Sequence, residues 1–335
     1  MKIISTVALQ PAHRAAIARA VPGAELIDRE VRSREEFSEL VSGGCDVLLT
    51  FRIPQDALDR APGIRWIQLL SAGADRVLGG PLKGSAIPLT TASGIHATPI
   101  AEYTLGSMLA YAHRIHLAIR AQIRHEWSRS RSLTENIDEI RGRTLGIIGY
   151  GSIGRETARL AHAFGMKVLA LKRNPTDRAD AGWCPAGLGD PDGKIPARFY
   201  GPDEREAILG ESDYVSVTLP LSAHTRKFIG AQEIAAMKPS AYLVNIGRGQ
   251  VIDEAAMATA LKLGKIGGAG LDVFEHEPLE PDSPLWEMEN VILTPHVSGD
   301  SRGYMDKACE LFAENLKRFV ANRPLLNLVD PALGY

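Results

Sequence analysis

Residues 145–154 read Leu-Gly-Ile-Ile-Gly-Tyr-Gly-Ser-Ile-Gly, an apolar run that leads directly into a G-x-G-x-x-G motif. In such a motif the first glycine permits a tight turn, the second lets the backbone approach a pyrophosphate, and the third lets helix and strand pack closely. A helix that begins near Ser152 would point its unpaired N–H groups at the phosphates. The stretch predicts a dinucleotide site, formed by Gly149, Tyr150, Gly151, Ser152, Ile153 and Gly154.

Short apolar runs alternate with helical stretches along the whole chain, which is typical of βα units around parallel sheets. In the first third, strands are predicted at 3–9, 46–51, 64–70 and 87–91. A second series is predicted at 144–148, 167–171, 214–219, 241–246, 269–273 and 291–293. We therefore expect an α/β protein with a Rossmann-type doubly wound parallel sheet and a smaller, flavodoxin-like substrate domain.

The order of these elements predicts how the chain is divided. A helix with Pro99 at its first position would run from 99 to about 119 and carry the chain into the second domain. A last helix, at about 302–320, would return it to the first. We expect a substrate domain of residues 1–98 and 299–335, and a dinucleotide-binding domain of residues 99–298. The segment 177–203, rich in Gly, Pro and Asp, is too long for an ordinary connection and is interpreted as an insertion.

Composition excludes several classes of partner. The 335 residues include 38 basic and 40 acidic side chains, well mixed, so no nucleic acid or membrane partner is expected. The run 3–9 is interpreted as a strand rather than a signal peptide, and no run approaches the ~18 apolar residues that a bilayer requires. Cys45, Cys184 and Cys309 are widely separated, which favours a cytoplasmic protein without a metal site.

The end of the second strand in the dinucleotide unit predicts which cofactor is preferred. Sites that prefer NAD carry an acid there, which accepts hydrogen bonds from the ribose 2′-hydroxyl. This chain has Lys172, Arg173 and Asn174 instead. Because two cations would attract a 2′-phosphate, we expect NADP to be favoured over NAD.

Three later strands are each followed by a group with useful chemistry: Arg248, Glu277 and His296. Ligands collect at the carboxyl ends of strands in open α/β sheets, so these side chains can converge there. A guanidinium can grip a carboxylate and polarise a carbonyl, and an imidazole can deliver a proton. A neighbouring carboxylate favours the protonated imidazole. The three residues predict hydride chemistry on a 2-oxo or 2-hydroxy acid.

Four ordered blocks, at 149–154, 244–249, 270–278 and 293–298, resemble the D-isomer-specific 2-hydroxyacid dehydrogenase family, which includes glyoxylate and hydroxypyruvate reductases. The resemblance implies that Arg248 and the loop Ser71-Ala72-Gly73 bind substrate together with His296, and that Glu277 and His296 form the acid/base pair. It also implies cofactor contacts at Leu219, Pro220, Thr225, Ile246, Gly247, Arg248, Asp272, His296 and Ser298.

The same resemblance implies a homodimer built on the helix that starts near Pro99, where Tyr103 replaces the histidine of many relatives. Two alternatives stay open. Formate- and phosphite-type dehydrogenases share the architecture, although Glu277 argues against formate. A dinucleotide-sensing corepressor is a binding module that can retain the same triad, so turnover would decide between the two classes. The insertion at 177–203 is expected to cover the adenosine end of the cofactor.

Overall fold

The structure is a computed structural model that describes residues 1–78, 80, 82, 84–127, 137–180 and 182–331. The chain forms two compact units. The first contains residues 1–95, 182–185 and the C-terminal part from Ser301, and the second contains residues 96–180 and 186–300. Residues 182–185, which lie inside the expected insertion, therefore belong to the first unit.

The first unit is built on a five-stranded parallel sheet of order β2-β1-β3-β4-β5. Its strands are β1 (Lys2–Ser5), β2 (Glu25–Asp28), β3 (Val47–Thr50), β4 (Trp66–Leu69) and β5 (Leu89–Thr90). Its helices are Pro11–Ala20, Arg34–Val41, Ala57–Arg60, Asp75–Leu78 and Tyr304–Val320. This strand order is that of the flavodoxin-like fold expected from the sequence.

Alternate strand residues of the first unit face opposite sides of its sheet. Ile4 and Leu48 pack with Phe37 of one helix, whereas Ile3 and Val47 pack in a separate cluster with Phe312 of the last helix. Strands that are apolar on both faces are typical of parallel sheets with helices on both sides. The sheet is consequently enclosed between two helical layers.

The second unit contains a seven-stranded sheet of order β12-β11-β10-β9-β6-β7-β8, in which every strand pair is parallel. Its strands are β6 (Thr144–Ile148), β7 (Lys167–Leu171), β8 (Arg198–Tyr200), β9 (Tyr214–Val217), β10 (Tyr242–Asn245), β11 (Gly268–Leu271) and β12 (Val291–Leu293). The strand order reverses between β6 and β9, and such a switch point is where open α/β sheets bind their ligands.

Helices cover both faces of this second sheet. Ile147 packs in the cluster that contains Leu105 and Ala158, whereas the next residue, Ile148, packs with Ile208 and Met257 on the other face. The helices of the unit are Ala97–Ala112, Ile115–Ile123, Ser152–Ala163, Arg205–Glu211, Ala231–Ala236 and Glu254–Lys262. The doubly wound α/β architecture predicted from the sequence is confirmed.

Three local features of the fold differ from what the sequence predicted or were not predicted. A seventh strand, β8, lies inside the segment interpreted as an insertion and extends the sheet beside β7. The helix expected at 99–119 is two helices, because Arg114 adopts a left-handed backbone with φ 57° between them. The strand β2 was not predicted, since its four residues, Glu-Leu-Ile-Asp, have only two apolar side chains between two acidic ones at the edge of the first sheet.

None of the helices in the described residues combines the length and the hydropathy needed to cross a bilayer. Within the same residues, no cluster of three or more His, Cys, Asp or Glu side chains could hold a metal ion.

Candidate active site

The glycine turn has the geometry that a dinucleotide requires. Gly149 adopts φ 107°, and a Cβ atom on Gly154 would lie 2.4 Å from the Gly149 carbonyl oxygen, so both positions demand glycine. A Cβ atom on Gly151 would meet nothing within 4 Å. Gly151 is also the residue just before the helix Ser152–Ala163, where backbone N–H groups lack helical partners. The open cradle at Gly151 fits a pyrophosphate.

Neighbouring side chains attach the following segment to this turn. The Tyr150 hydroxyl donates to the Asp190 carboxylate over 2.7 Å, so its side chain is buried in the core and only its backbone is left for a cofactor. Arg155, also buried, donates through Nη2 to the carbonyls of Arg178 and Ala179. Sequence reasoning missed this anchor, although Arg155 directly follows the motif and the segment after it is rich in acidic residues.

The strand β7 is followed, as expected, by Lys172, Arg173 and Asn174. Their side chains make different contacts. The Lys172 ammonium group donates to the carbonyls of Asp177 and Ala179, so it braces the next loop. Asn174 Oδ1 accepts from the backbone N–H and the hydroxyl of Thr176, which fixes a tight turn. The Arg173 side chain is exposed beside that turn.

The opposite wall of the turn comes from the loop after β9. A Cβ atom on Gly247 would lie 2.6 Å from the Leu219 carbonyl oxygen, so this glycine allows the two loops to touch. The Thr225 hydroxyl donates to the Pro220 carbonyl over 2.6 Å and holds the loop in shape. The Ile246 side chain is buried in the core, so any cofactor contact at Ile246 would use its backbone.

Arg248 follows β10 in a loop whose shape is held by contacts with Asn245 and Phe274. Buried Asn245 donates through its side chain to the Arg248 carbonyl and accepts from the Gly247 N–H, each over 3.2 Å. A Cβ atom on Gly249 would collide with the Phe274 carbonyl group, so the next loop packs directly on this one. These contacts place the half-buried Arg248 at the carboxyl edge of the sheet.

His296 and Glu277 are hydrogen-bonded to each other. Nδ1 of His296 lies 2.8 Å from Oε2 of Glu277, and Oε1 of the same carboxylate accepts from the Phe274 N–H. Because an ionised carboxylate only accepts, Nδ1 carries the proton of this hydrogen bond. The side chains are 48% and 33% exposed, so a ligand can reach them. The pair directs the other ring nitrogen, Nε2, away from Glu277.

Asp272 organises the loop that carries His296. Its carboxylate is fully buried and accepts three hydrogen bonds: from the Thr294 hydroxyl at 2.6 Å, and from the N–H groups of Val297 and Ser298 at 2.9 Å each. His296 itself adopts a left-handed backbone with φ 54°. Non-glycine residues keep such conformations only where the surroundings fix them. Asp272 supplies that restraint.

The loop Ser71-Ala72-Gly73 belongs to the first unit and follows β4. The Ser71 hydroxyl donates to the Gly73 carbonyl over 2.9 Å, and the Ser71 carbonyl accepts from the Ala92 N–H. Ser71, Ala72 and Gly73 are partly exposed. The loop is therefore a defined turn at the carboxyl edge of its own sheet.

Parallel pairing explains why the second unit gathers these groups. β6, β9, β10, β11 and β12 run in the same direction, so the loops after them meet at one edge of the sheet. The glycine turn, Arg248, Asp272, Glu277 and His296 all lie in those loops. Backbone N–H groups at a helix start, a guanidinium and a hydrogen-bonded imidazole at one edge have the chemistry that a nicotinamide dinucleotide and a carboxylate substrate require.

Comparison with known proteins agrees with this geometry. Residues 105–298 match the family model described as D-isomer specific 2-hydroxyacid dehydrogenase, NAD binding domain. A glyoxylate reductase of Aeropyrum pernix is 35% identical over 84% of this chain and 81% of its own length. A glycerate dehydrogenase of Methylorubrum extorquens is 33% identical over 87% of each chain.

Two solved structures are similar over nearly their whole length. A D-isomer specific 2-hydroxyacid dehydrogenase of Xanthobacter autotrophicus in complex with NADPH and MES has a TM-score of 0.80 at 28% identity, covering 100% of this chain and 99% of that one. An NADPH-dependent glyoxylate/hydroxypyruvate reductase of Sinorhizobium meliloti in complex with NADP and sulfate has a TM-score of 0.79 at 28% identity with the same coverage. This chain belongs to the D-isomer specific 2-hydroxyacid dehydrogenase family, whose members are NAD(P)-dependent oxidoreductases.

Proposed function

We propose that this enzyme reduces a small 2-oxo acid of the glyoxylate and hydroxypyruvate class to the corresponding 2-hydroxy acid, with the D configuration wherever the product is chiral. The observation that carries the proposal is the 2.8 Å hydrogen bond between His296 and Glu277 at the sheet edge that also holds Arg248 and the glycine turn. Relatives named for glyoxylate reduction and for glycerate oxidation support the substrate class.

Each residue of the triad has one task in this proposal. Arg248 binds the substrate carboxylate and polarises the carbonyl, as a guanidinium does well in a partly desolvated site. His296 donates a proton from Nε2 to the carbonyl oxygen, while Glu277 holds Nδ1 and orients the ring. The loop Ser71-Ala72-Gly73 keeps the carboxylate-binding role that the family resemblance gives it. In the oxidative direction the neutral imidazole acts as the base.

The cofactor is held by the glycine turn and by the residues after β7. Bound NADPH or NADH supplies the hydride. The backbone at Gly151 and the first turn of the helix Ser152–Ala163 bind the pyrophosphate. Arg173 binds the 2′-phosphate, and Lys172 and Asn174 shape the loop around it. The chain has no carboxylate at this position to favour NADH, and two similar structures contain NADPH or NADP.

A homodimer completes the proposal. Ile115, Ile119 and Ile123 are 46%, 50% and 73% exposed along one helix, and Trp127 is 99% exposed four residues further on. Residues four apart share a helix face, so the isoleucines form an apolar stripe that a second copy of the chain would cover.

The widely separated cysteines favour a cytoplasmic protein, and the balance of acidic and basic residues favours a protein with no nucleic acid partner.

The experiment that tests the activity is oxidation of NADPH and NADH, followed by absorbance, with purified protein and glyoxylate, hydroxypyruvate, pyruvate and phenylpyruvate. We expect NADPH oxidation with glyoxylate or hydroxypyruvate, and oxidation slower by roughly 100-fold or more in the H296N variant. Consumption of neither cofactor with any acid would contradict the proposal and would favour phosphite oxidation or a dinucleotide-sensing binding module.

A further inference from the structure

Tyr103 lies on the helix Ala97–Ala112 and reaches the loop that carries His296. Its hydroxyl oxygen is 2.7 Å from Oγ1 of Thr294, two residues before His296. Burial raises the pKa of Tyr103 to about 12, so the phenol stays protonated throughout the physiological range. The family resemblance assigns this helix to the dimer interface. The proposed roles of Arg248, Glu277 and His296 assign no function to Tyr103.

The direction of this hydrogen bond is fixed by the next one. A hydroxyl has a single proton to donate, and Thr294 Oγ1 donates it to the Asp272 carboxylate over 2.6 Å. The Thr294 oxygen must therefore accept from Tyr103. The result is a one-way chain of hydrogen bonds from the phenol through the threonine to a fully buried carboxylate.

Asp272 is the group that holds the backbone around His296. It accepts from Val297 and Ser298, the two N–H groups that directly follow the histidine. Because these two N–H groups adjoin the left-handed backbone of His296, a rotation of the Asp272 carboxylate would shift the imidazole relative to Glu277. The orientation of the Asp272 carboxylate depends in turn on its third donor, Thr294.

We propose that Tyr103 is a positioning residue for proton transfer, which sets the place of the His296 imidazole through Thr294 and Asp272. The inference rests on the proposed function, since it assigns His296 the role of acid. In the proposed mechanism Tyr103 contacts neither the substrate nor the cofactor. Tyr103 acts by aligning the Asp272 carboxylate, to which it is linked through Thr294. Such a network of hydrogen bonds can stabilise a structure by more than the sum of its isolated bonds.

The test compares Y103F and T294V with T294S, which keeps the hydroxyl, and with Y242F. Tyr242 is a matched control, because its buried phenol also bonds a hydroxyl, that of Ser107 at 2.9 Å, without any link to Asp272. We expect Y103F and T294V to lower kcat roughly tenfold, since displacement of an acid by a fraction of an ångström has such effects, with the cofactor KM unchanged. T294S should restore most of the loss.

A second readout does not depend on turnover. The His296 ring signals, assigned by their absence in H296N, are followed by NMR across a pH titration in the full-length protein. We expect their chemical shifts and titration midpoint to move in Y103F and T294V and to stay in place in Y242F. Unmoved signals in Y103F would overturn the inference even in an active enzyme. Moved signals in a protein that reduces no 2-oxo acid would support the positioning role and refute the proposed function.

Discussion

The carboxylate of Glu277 is shared between the His296 imidazole, 2.8 Å from Oε2, and the backbone N–H of Phe274, 3.1 Å from Oε1. The second hydrogen bond fixes the carboxylate, so the first fixes the ring and leaves Nε2 as the nitrogen that we propose to face the substrate. A histidine held in this way can act as an acid in one direction and as a base in the other.

Replacing His296 with asparagine removes the proton donor but keeps a polar side chain. We expect kcat to fall by roughly 100-fold or more, the usual scale of general acid catalysis, while NADPH binding stays near normal. Steady-state kinetics and a fluorescence titration of the cofactor measure the two quantities. H276N is the control, because His276 is an exposed histidine in the loop beside Glu277 and has no assigned role. Near-normal turnover in H296N would refute the assignment.

The glycine turn allows fold and ligand effects to be separated. At Gly151 a Cβ atom would meet no protein atom, so G151A should keep the melting temperature and raise the cofactor KM by roughly tenfold, because the methyl group enters the pyrophosphate cradle. At Gly154 the same atom would lie 2.4 Å from the Gly149 carbonyl oxygen, so G154A should lower Tm, at a cost of about 1–3 kcal/mol for overpacking. Equal Tm values for the two variants would contradict this division.

Six strands of the second sheet and the proximity of Glu277 to His296 could be predicted because both depend on local signals: apolar runs, glycine spacing and residues after strand ends. The strand β8 was not predicted, since Phe199 lies in a three-residue strand surrounded by loop-forming residues. The break at Arg114 has no glycine or proline to mark it. The role of Asp272 also escaped prediction, because its partner Val297 is 25 residues away and meets it only after β11 and β12 have paired.

Arg173 should decide the preference between the two cofactors. R173A removes the guanidinium proposed for the 2′-phosphate, so we expect the KM for NADPH to rise roughly 10- to 100-fold, as for a charge-assisted hydrogen bond, with little change for NADH. K194A is a suitable control, because Lys194 is an exposed cation of the same region that pairs with Asp192. Equal losses for the two cofactors would show that the 2′-phosphate lies elsewhere.

The apolar stripe of Ile115, Ile119 and Ile123 should hold two copies of the chain together. We expect I119E to shift the protein from dimer to monomer in sedimentation equilibrium, because a carboxylate would have to be buried in an apolar interface. Leu263 is 66% exposed elsewhere in the same unit, which makes L263E the matched control. A wild-type monomer, or an I119E protein that stays dimeric, would exclude this interface.

The segment after β7 should act on the cofactor through Asp190. Deleting residues 177–203 would also remove β8, so a single substitution is a cleaner test. The buried Asp190 carboxylate accepts from the Tyr150 hydroxyl at 2.7 Å and from the N–H groups of Lys194 and Ile195, so it joins the segment to the glycine turn.

D190A breaks all three hydrogen bonds, and we expect the NADPH KM to rise roughly tenfold while kcat changes little, because the segment loses its attachment to Tyr150 in the glycine turn and the contacts of the triad are unchanged. D192A is the control, because Asp192 is exposed and pairs with the exposed Lys194. If D190A lowers Tm but leaves the cofactor KM at the wild-type value, the segment only stabilises the fold, and its proposed place over the adenosine end of the cofactor is wrong.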